Sequence, residues 1–342
     1  MTATPGNGTY SSGGEATLPN DIPTITHYIK DVLDEVFVAE AKTVGMTPDP
    51  AVLRASSQAG IFKLATIKTT GLGNYDTRLG YPTGQISTEW NEYRVEVQRG
   101  IRYVCDPAES IMGGGLVTAM NAMATATRQE FVPEVDAYRF SKIHGIINGN
   151  NAIKSTHIKS QASLANSDIL GSVIDGLDVV SDSTGLDTGL TIYMNQALRN
   201  TIHKSTEYTK TKDIGGGNSF SSDITEINGN RIVWVPKQRM MTAITLKDGY
   251  TNAYSDTTTT PETVDYNQFG YAPASGAKYL NFVITAPNTC MGIMALNNPK
   301  IILAADSEKY DADQAMIRMW HDLIIPVNKQ PGVYISVGGT VS

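Results

Sequence analysis

Side chains that could perform catalysis occur in this sequence, but their spacing matches no common catalytic arrangement. His321 and Asp322 supply the imidazole and carboxylate of a hydrolase triad, yet neighbouring residues in a strand point to opposite faces. Asp311 and Asp313 could contact a cation, although two carboxylates on a predicted helix more often form a solvated face. The glycines at 215–217 lack the preceding strand and following helix of a nucleotide-binding loop, so we expect a loop tip there.

Motifs that define common enzyme classes are also missing. The sequence has no P-loop, no HExxH zinc motif, no GxSxG nucleophile turn and no EF-hand calcium loop. Cys105 and Cys290 lie outside CxxC spacing, so we expect two buried, reduced thiols. The missing motifs argue only against metal hydrolases, kinases and serine hydrolases. We predict a protein that is not an enzyme and has no catalytic residue, cofactor or metal. The alternative is an enzyme with an unrecognised site, in which the Tyr-rich segment 248–276 would line a pocket.

The clearest pattern in the sequence is a two-residue alternation over 85–105, which indicates a long strand. One face carries mainly apolar side chains, namely Tyr93, Val95, Val97, Arg99, Ile101 and Tyr103. The opposite face carries Glu92, Arg94, Glu96, Gln98 and Arg102. Residues 61–76 supply a first arm and 77–84 contain turn-forming residues, so the sequence predicts a long hairpin.

The length of this predicted arm bears on its role. If it is straight, it spans about 70 Å at roughly 3.3 Å per residue. A compact domain of this chain length has a diameter of about 50 Å. The arm therefore projects, and its edges need cover that a neighbouring copy would supply. The alternative is a bent hairpin folded into a sandwich.

We predict that the hairpin contacts neighbouring subunits through one Trp and several charged residues. The candidates are Glu89, Trp90, Glu92, Arg94, Glu96, Arg99 and Arg102. The alternative is a solvated face, on which each ion pair contributes only about 0–1 kcal/mol.

Helical patterns flank the hairpin. Residues 1–20 are mostly Gly, Ser, Thr and Pro, which predicts an arm that does not fold by itself, and 25–45 show helical spacing. After the hairpin, 106–149 predict a long helix in two parts, with a break or kink at Pro133. Three glycines weaken its first turns, so we predict a flexible step at Gly113, Gly114 and Gly115.

The rest of the chain mixes both kinds of element, which predicts an α+β fold. The predicted helices are 163–180, 195–203 and part of 306–319, and the predicted strands are 189–194, 278–287, 290–304 and 320–337. Between them lie a hairpin at 223–236, with Asn228-Gly229 as its turn, and a long polar loop at 248–276.

The bulk composition narrows the function classes. The 342 residues carry a formal net charge of −7 and no run of Lys and Arg that would grip nucleic acid, whereas an acidic wall can contain DNA without adhering to it. The N-terminus has no signal-peptide pattern, and no apolar stretch of about 20 residues occurs, so we expect folding in a reducing cytoplasm. A secreted β-rich adhesin, the rival from another class, should carry a signal peptide.

Three segments resemble the major capsid proteins of tailed bacteriophages. They are GYPTGQISTEWNEYRVEVQRGIRYVCD at 80–106, FVPEVDAYRFSKI at 131–143, and the closing strands from AKYLNFVITAP at 277 to GVYISV at 337. The hairpin INGNRIVWVPKQRM at 227–240 also fits. These segments follow one another in the order that they have in that family. The resemblance implies an HK97-like fold.

The resemblance also implies a division of the chain into parts. These are an N-terminal arm with a short helix (1–58), an extended loop (59–105), a spine helix with the peripheral domain (106–160), an axial domain that includes the 223–236 hairpin and the 248–276 loop (161–305), and C-terminal strands that return to the peripheral and axial sheet (306–342). Hexamers and pentamers of such a subunit would close an icosahedral shell around phage double-stranded DNA, without sequence-specific binding.

The partners implied by the resemblance are other copies of the chain, a portal protein, and separate scaffolding or decoration proteins. The expected location is the virion capsid, assembled in the bacterial host cytoplasm without a membrane. About 60 residues precede the extended loop, so we expect no long N-terminal scaffolding segment. Some relatives cross-link Lys to Asn, but no Asn and Glu match Lys63 or Lys68, and we predict no cross-link. The nearest alternative is an encapsulin-like compartment that uses the same fold.

Overall fold

A computed structural model describes the greater part of the chain. The described residues are 40–47, 54–55, 60–75, 77–78, 80–105, 119–165, 168–204, 225–249, 268–304 and 312–341. Several sequence predictions lie outside them: the arm at 1–20, nearly all of the helix at 25–45, the step at Gly113, Gly114 and Gly115, the glycines at 215–217, Asp311, and most of the 248–276 loop.

The described residues contain the mixture of helices and strands that the sequence predicts. The α-helices are α1 (Ala119–Ala126), α2 (Val132–Gly149), α3 (Lys154–His157), α4 (Ile169–Thr184) and α5 (Arg199–His203). The strands are β1 (Arg54–Ala55), β2 (Ile61–Thr69), β3 (Ile86–Arg94), β4 (Val97–Cys105), β5 (Ile158–Ser160), β6 (Thr191–Asn195), β7 (Glu226–Ile227), β8 (Asn230–Val235), β9 (Ile244–Leu246), β10 (Tyr271–Pro273), β11 (Lys278–Thr285), β12 (Met291–Ile302), β13 (Asp313–Ile324) and β14 (Val333–Thr340).

A six-stranded sheet covered on both faces forms the main core. Its strand order is β5-β14-β11-β6-β8-β7. On β11, Phe282 and Ile284 pack in one apolar cluster with α4, whereas Val283 packs in a second cluster with Phe140 and Ile143 of α2. Because both faces are buried, the central strands are nearly continuous apolar runs.

A second sheet, with the order β12-β13-β4, packs against α1. Met123 of α1 lies in a cluster with Ile317 and Met319 of β13 and with Cys105 of β4. Along β4, half-buried or buried residues alternate with exposed ones, as the two-residue period predicts. The exposed residues of β4 therefore lie on the face turned away from α1.

The second arm of the predicted hairpin is divided between two sheets. β3 pairs with β2, from Ile61 opposite Arg94 to Thr69 opposite Ile86. β4 pairs instead with β13, so the chain passes from one sheet to the other at Val95 and Glu96. The prediction of a continuous arm of about 70 Å is therefore wrong, and the nine-residue arms of the β2–β3 hairpin span about 30 Å.

The long helix after the hairpin continues past Pro133, where a break or kink was predicted. A π-helical turn, Thr127–Phe131, joins α1 to α2. Pro133 lies in the first turn of α2, directly after this wider turn. A proline removes one helical hydrogen bond, and the π-turn accommodates that loss without ending the helix.

Two further predictions have clear outcomes. The turn at Asn228-Gly229 is confirmed, since φ is 50° and 74° at these residues, the left-handed values that a tight hairpin turn requires. Of the segment at 306–319, predicted to be helical in part, residues 313–319 form the first part of β13, and 306–311 lie outside the described residues. Burial of Ala315, Ile317 and Met319 follows the strand period there.

Candidate functional site: an exposed hairpin

The β2–β3 hairpin has two unlike faces. Directly opposed residues share a face, and Ile67, Ile86 and Trp90 fall on the same one. These three side chains are exposed to 67%, 77% and 52%. A group of large exposed apolar side chains on one face is typical of a binding surface. We refer to Ile67, Ile86 and Trp90 as the apolar face of the hairpin.

Two ion pairs link the arms of the hairpin. Lys63 Nζ lies 2.5 Å from Glu92 Oε1, and Lys68 Nζ lies 2.6 Å from Glu89 Oε2. All four side chains are largely exposed, so each pair contributes only about 0–1 kcal/mol. The Lys63–Glu92 pair also favours this strand register, because the two residues are directly opposed and a slip by one residue would separate their charges.

The tip of the hairpin is also apolar. The rings of Tyr75 and Tyr81 pack with their centroids 5.0 Å apart, which joins the two arms beyond their last paired residues. Leu72 is fully exposed beside them. The tip therefore presents a defined apolar surface in addition to the apolar face.

Arg99 lies on the inner face of β4 and is bound within the chain. Its Nε and Nη2 donate to the two carboxylate oxygens of Glu134 on α2, at 2.6 and 3.0 Å. Its Nη1 and Nη2 also donate to the carbonyl oxygens of Lys247 and Gly270. One guanidinium thus joins β4, α2 and both ends of the segment that follows β9.

The other charged candidates near the base of the hairpin are exposed. Glu96 accepts a hydrogen bond from Lys142 Nζ of α2, at 3.1 Å. Arg94 ends β3, and Arg102 lies on the outward face of β4. These three side chains therefore remain at the surface, whereas Arg99 does not.

His321 and Asp322 do not form a catalytic pair. Asp322 Oδ1 accepts from the Tyr138 hydroxyl at 2.8 Å, and its Oδ2 accepts from the Glu96 backbone N–H at 3.2 Å. His321 is fully buried and packs edge-on against the ring of Tyr138. Burial, together with the nearby positive charges of Arg139 and Arg99, lowers the pKa of His321 to about 3. The imidazole is therefore neutral at physiological pH and packs in the interior, while the Asp322 carboxylate binds Tyr138 and the backbone of Glu96.

A buried carboxylate fixes the segment before the hairpin to α2. Asp136 accepts from the backbone N–H groups of Lys42 and Thr43, from Thr43 Oγ1 at 2.6 Å, and from Arg239 Nη1 at 3.0 Å. Arg139, one turn further along α2, donates to Thr43 Oγ1 at 2.8 Å. Every oxygen of this carboxylate is occupied by the chain itself, so the cluster holds residues 42–43 in place.

The described part of the chain contains no group of three or more His, Cys, Asp or Glu side chains that could hold a metal ion. No helix within it is both long and apolar enough to cross a membrane. A cavity of about 290 Å³ lies beside Arg99, Glu134, Lys247 and Phe269, just below the usual size of ligand pockets, about 300–1,000 Å³. Arg99 already binds the carboxylate of Glu134, which lines this cavity.

The sequence matches no protein-family model and no curated protein, but the fold matches solved structures. The asymmetric unit of the mature capsid of bacteriophage PhiM1 is similar with a TM-score of 0.54, 12% identity, and 84% of each chain covered. The capsid structure of cyanophage P-SCSP1u gives 0.52, with 9% identity over 84% of this chain and 86% of that one. A structure of Microbacterium phage Oxtober96 gives 0.51, with 10% identity over 86% and 92%.

The chain has the fold of a phage capsid protein. At this level of identity the likeness shows the fold, and it confirms the resemblance that the sequence segments indicated.

Within this capsid fold, the predicted contact residues separate into three groups. Trp90 lies on the apolar face of the hairpin, and Glu89 and Glu92 pair with lysines of β2. Arg94, Glu96 and Arg102 are exposed near the junction of the two sheets. Arg99 is bound by Glu134 inside the chain, so we remove it from the contact set.

Sequence reasoning missed Ile67 and Ile86, which accompany Trp90 on the apolar face. A usable signal was present, because both are large apolar residues whose immediate neighbours in sequence, Thr, Lys, Gln and Ser, are all polar. Their partnership depends on the register of the hairpin, which the sequence pattern alone does not define.

Proposed function

We propose that this chain is the major coat subunit of a tailed bacteriophage, and that it assembles into hexamers and pentamers of an icosahedral shell around double-stranded DNA. The fold supports a capsid subunit. The observation that carries the proposal is the apolar face of the hairpin, because Ile67, Ile86 and Trp90 have no cover within the described chain. We assign that cover to a neighbouring copy.

Repetition makes such a contact effective. Burying one large aliphatic side chain contributes about 1.5–3 kcal/mol when burial is complete. Every copy offers the same hairpin, and once a ring has formed the remaining contacts are effectively intramolecular. The contacts are heterologous, so their angle decides whether a ring closes.

The division of the chain in this proposal follows the capsid resemblance. The β2–β3 hairpin acts as the extended loop, the helix running through α1 and α2 as the spine helix, and the six-stranded sheet as the core of the axial domain. Glu89, Trp90, Glu92, Arg94, Glu96 and Arg102 form inter-subunit contacts. A portal protein and separate scaffolding or decoration proteins complete the particle, which is assembled in the host cytoplasm.

An encapsulin-like compartment is the second form that a shell of this fold could take. The net charge of −7 favours neither content. The contents of purified particles distinguish a phage capsid from a compartment, since a phage capsid holds double-stranded DNA and a compartment holds a protein cargo. Nuclease-protected DNA of genome length supports the phage assignment, and particles filled with one co-purifying enzyme contradict it.

The assembly proposal is tested by changing one face of the hairpin at a time. Ile67→Gln with Ile86→Gln removes apolar surface from the apolar face. Thr66→Gln with Ser87→Gln places the same amides at the neighbouring positions, on the opposite face of the same strands. We expect wild type and the Thr66/Ser87 variant to form shells, and the Ile67/Ile86 variant to remain as folded small species.

Sedimentation and negative-stain electron microscopy give the readout, with circular dichroism to verify folding. A wild-type protein that stays monomeric at high concentration contradicts the assembly proposal itself. Normal shells from the Ile67/Ile86 variant contradict the role of the apolar face.

A further inference from the structure

The hairpin meets the rest of the chain at a joint built around Gly60 and Trp320. Gly60 directly precedes β2 and has φ of +77°, in the left-handed region that side chains rarely adopt. The indole of Trp320, on β13, lies directly over it: a Cβ added at Gly60 would overlap the Cζ2 and Cη2 atoms of that ring. A glycine is therefore required here for two reasons, the backbone angle and the space that the indole occupies.

The same indole also holds the other arm of the hairpin. Trp320 Nε1 donates to the carbonyl oxygen of Val95 at 3.0 Å, and the N–H of Val95 donates to the carbonyl oxygen of Gly60 at 2.9 Å. Val95 is the residue at which the chain leaves β3, and it is buried. Trp320 thus contacts both arms at the point where they enter the body.

A second set of bonds fixes the next residue. The N–H of Glu96 donates to Asp322 Oδ2, and the Glu96 carboxylate is bound by Lys142 of α2. Asp322 is itself oriented by the Tyr138 hydroxyl. β13 and α2 both belong to the part of the described chain outside the β2–β3 hairpin, which we call the body. The direction in which β3 leaves the body is therefore determined by bonds to the body at both Val95 and Glu96.

We propose that Trp320, seated on Gly60, is a positioning residue that sets the angle of the hairpin relative to the body and thereby the geometry of the shell. This inference rests on the assembly proposal above. Trp320 is half-buried at the base of the hairpin rather than on its apolar face, and acts by directing that face. The joint is also packed, because Leu64 and Val95 lie in one apolar cluster with Met291 and Ile324. Displacement of either arm forces the indole ring against Gly60 or breaks its bond to Val95.

The consequence follows from the number of repeats in a shell. A heterologous contact closes a ring only when its rotation matches the ring symmetry. An angular error at the joint is repeated in every subunit, so a change too small to unfold the protein prevents closure or alters particle size. Loss of one hydrogen bond at Trp320 costs only about 0.5–1.5 kcal/mol of subunit stability.

Gly60→Ala tests the joint, and Gly80→Ala is its matched control. Both glycines have φ of +77°, but no atom lies within 4 Å of a Cβ added at Gly80. Both variants therefore place Ala at the same unfavourable φ, and only Gly60→Ala displaces the indole. We expect Gly80→Ala to form wild-type shells, and Gly60→Ala to lower the fraction of protein in closed shells of wild-type diameter about tenfold, the change that about 1.4 kcal/mol produces in an equilibrium constant.

A double variant separates positioning from loss of stability. Trp320→Phe removes the Cζ2 and Cη2 atoms together with the N–H donor, so it relieves the overlap but frees Val95. We expect Trp320→Phe alone to form shells of broader diameter, and Gly60→Ala with Trp320→Phe to behave like Trp320→Phe alone, a non-additive pair. Particle diameters from electron microscopy are the readout, because a purely structural role would change thermal stability without changing diameter.

The outcomes distinguish the two proposals. If the wild-type protein forms shells and Gly60→Ala forms shells of the same size distribution, the role of the joint is overturned and the assembly proposal remains intact. Equal defects in Gly60→Ala and Gly80→Ala assign the effect to backbone strain and also overturn it. Failure of the wild-type protein to assemble overturns both.

Discussion

The neutral, buried imidazole of His321 makes the stability of the subunit depend on pH. In an unfolded chain a histidine titrates near pH 6.5, whereas burial lowers the pKa of folded His321 to about 3. Between these values the unfolded state binds one more proton than the folded state, so stability falls as the pH falls. The contribution of His321 is fully present above about pH 6.5 and is lost progressively towards pH 3.

The loss of stability with falling pH follows from the difference between the unfolded and folded pKa values of His321. Each pH unit between the two pKa values changes the free energy of unfolding by about 1.4 kcal/mol. Lowering the pH from 6.5 to 4.5 should therefore remove about 2–3 kcal/mol through this one group. His321→Phe retains the edge-on ring contact with Tyr138 and abolishes the titration, and any packing cost of the larger ring is independent of pH.

Urea denaturation of unassembled wild type and His321→Phe at pH 7.5 and 4.5 measures the difference. We expect wild type to lose about 2–3 kcal/mol more than the variant between the two pH values. The burial of His144 lowers its pKa as well, but its contribution is present in both proteins and cancels. Equal losses in the two proteins would refute the assignment of this slope to His321.

Two further predictions concern the body. Gly176→Ala should lower the free energy of unfolding by about 1–3 kcal/mol, because a Cβ would lie 2.7 Å from Tyr334 Cδ1 and 2.9 Å from Ile284 Cδ1. Its control is Gly171→Ala on the same helix, where a Cβ meets no atom within 4 Å. That variant should raise the free energy of unfolding by about 0.5–1 kcal/mol. Arg99→Met should lower the free energy of unfolding by about 2–4 kcal/mol in thermal denaturation, because it leaves buried Glu134 unpaired. Its control is Arg318→Met, at an exposed residue bound to Gln98, which should change the free energy of unfolding by no more than about 0.5 kcal/mol. Equal melting temperatures within either pair would contradict the packing argument for that pair.

The sequence predicts much of the fold because period and turn chemistry are local. The Asn228-Gly229 turn and the helix now described as α4 follow from residues that are neighbours in sequence. The passage of the chain from β3 to β4 cannot be predicted from neighbouring residues. Both strands have the same two-residue period, and the alternation runs through Val95 and Glu96 without a change. Only the pairing partners, β2 and β13, show that the arm belongs to two sheets.

The function of individual side chains was harder to predict for a related reason. Arg99 shares its strand and its charge with Arg102, and only its inward direction brings it to Glu134. Trp320 is about 260 residues from Gly60 in the chain, so no local pattern connects them. The residues predicted best are those whose exposure follows from strand alternation, and those predicted worst are those whose partners come from distant strands.

The binding of Arg99 to backbone carbonyls has a practical consequence for engineering. Its bonds to Lys247 and Gly270 hold the two ends of an intervening stretch without using any side chain of that stretch. The entropic cost of closing a loop rises only slowly with its length. An engineered change at Arg99 would therefore release both of these ends from β4 at once, whichever residues the stretch between them contains.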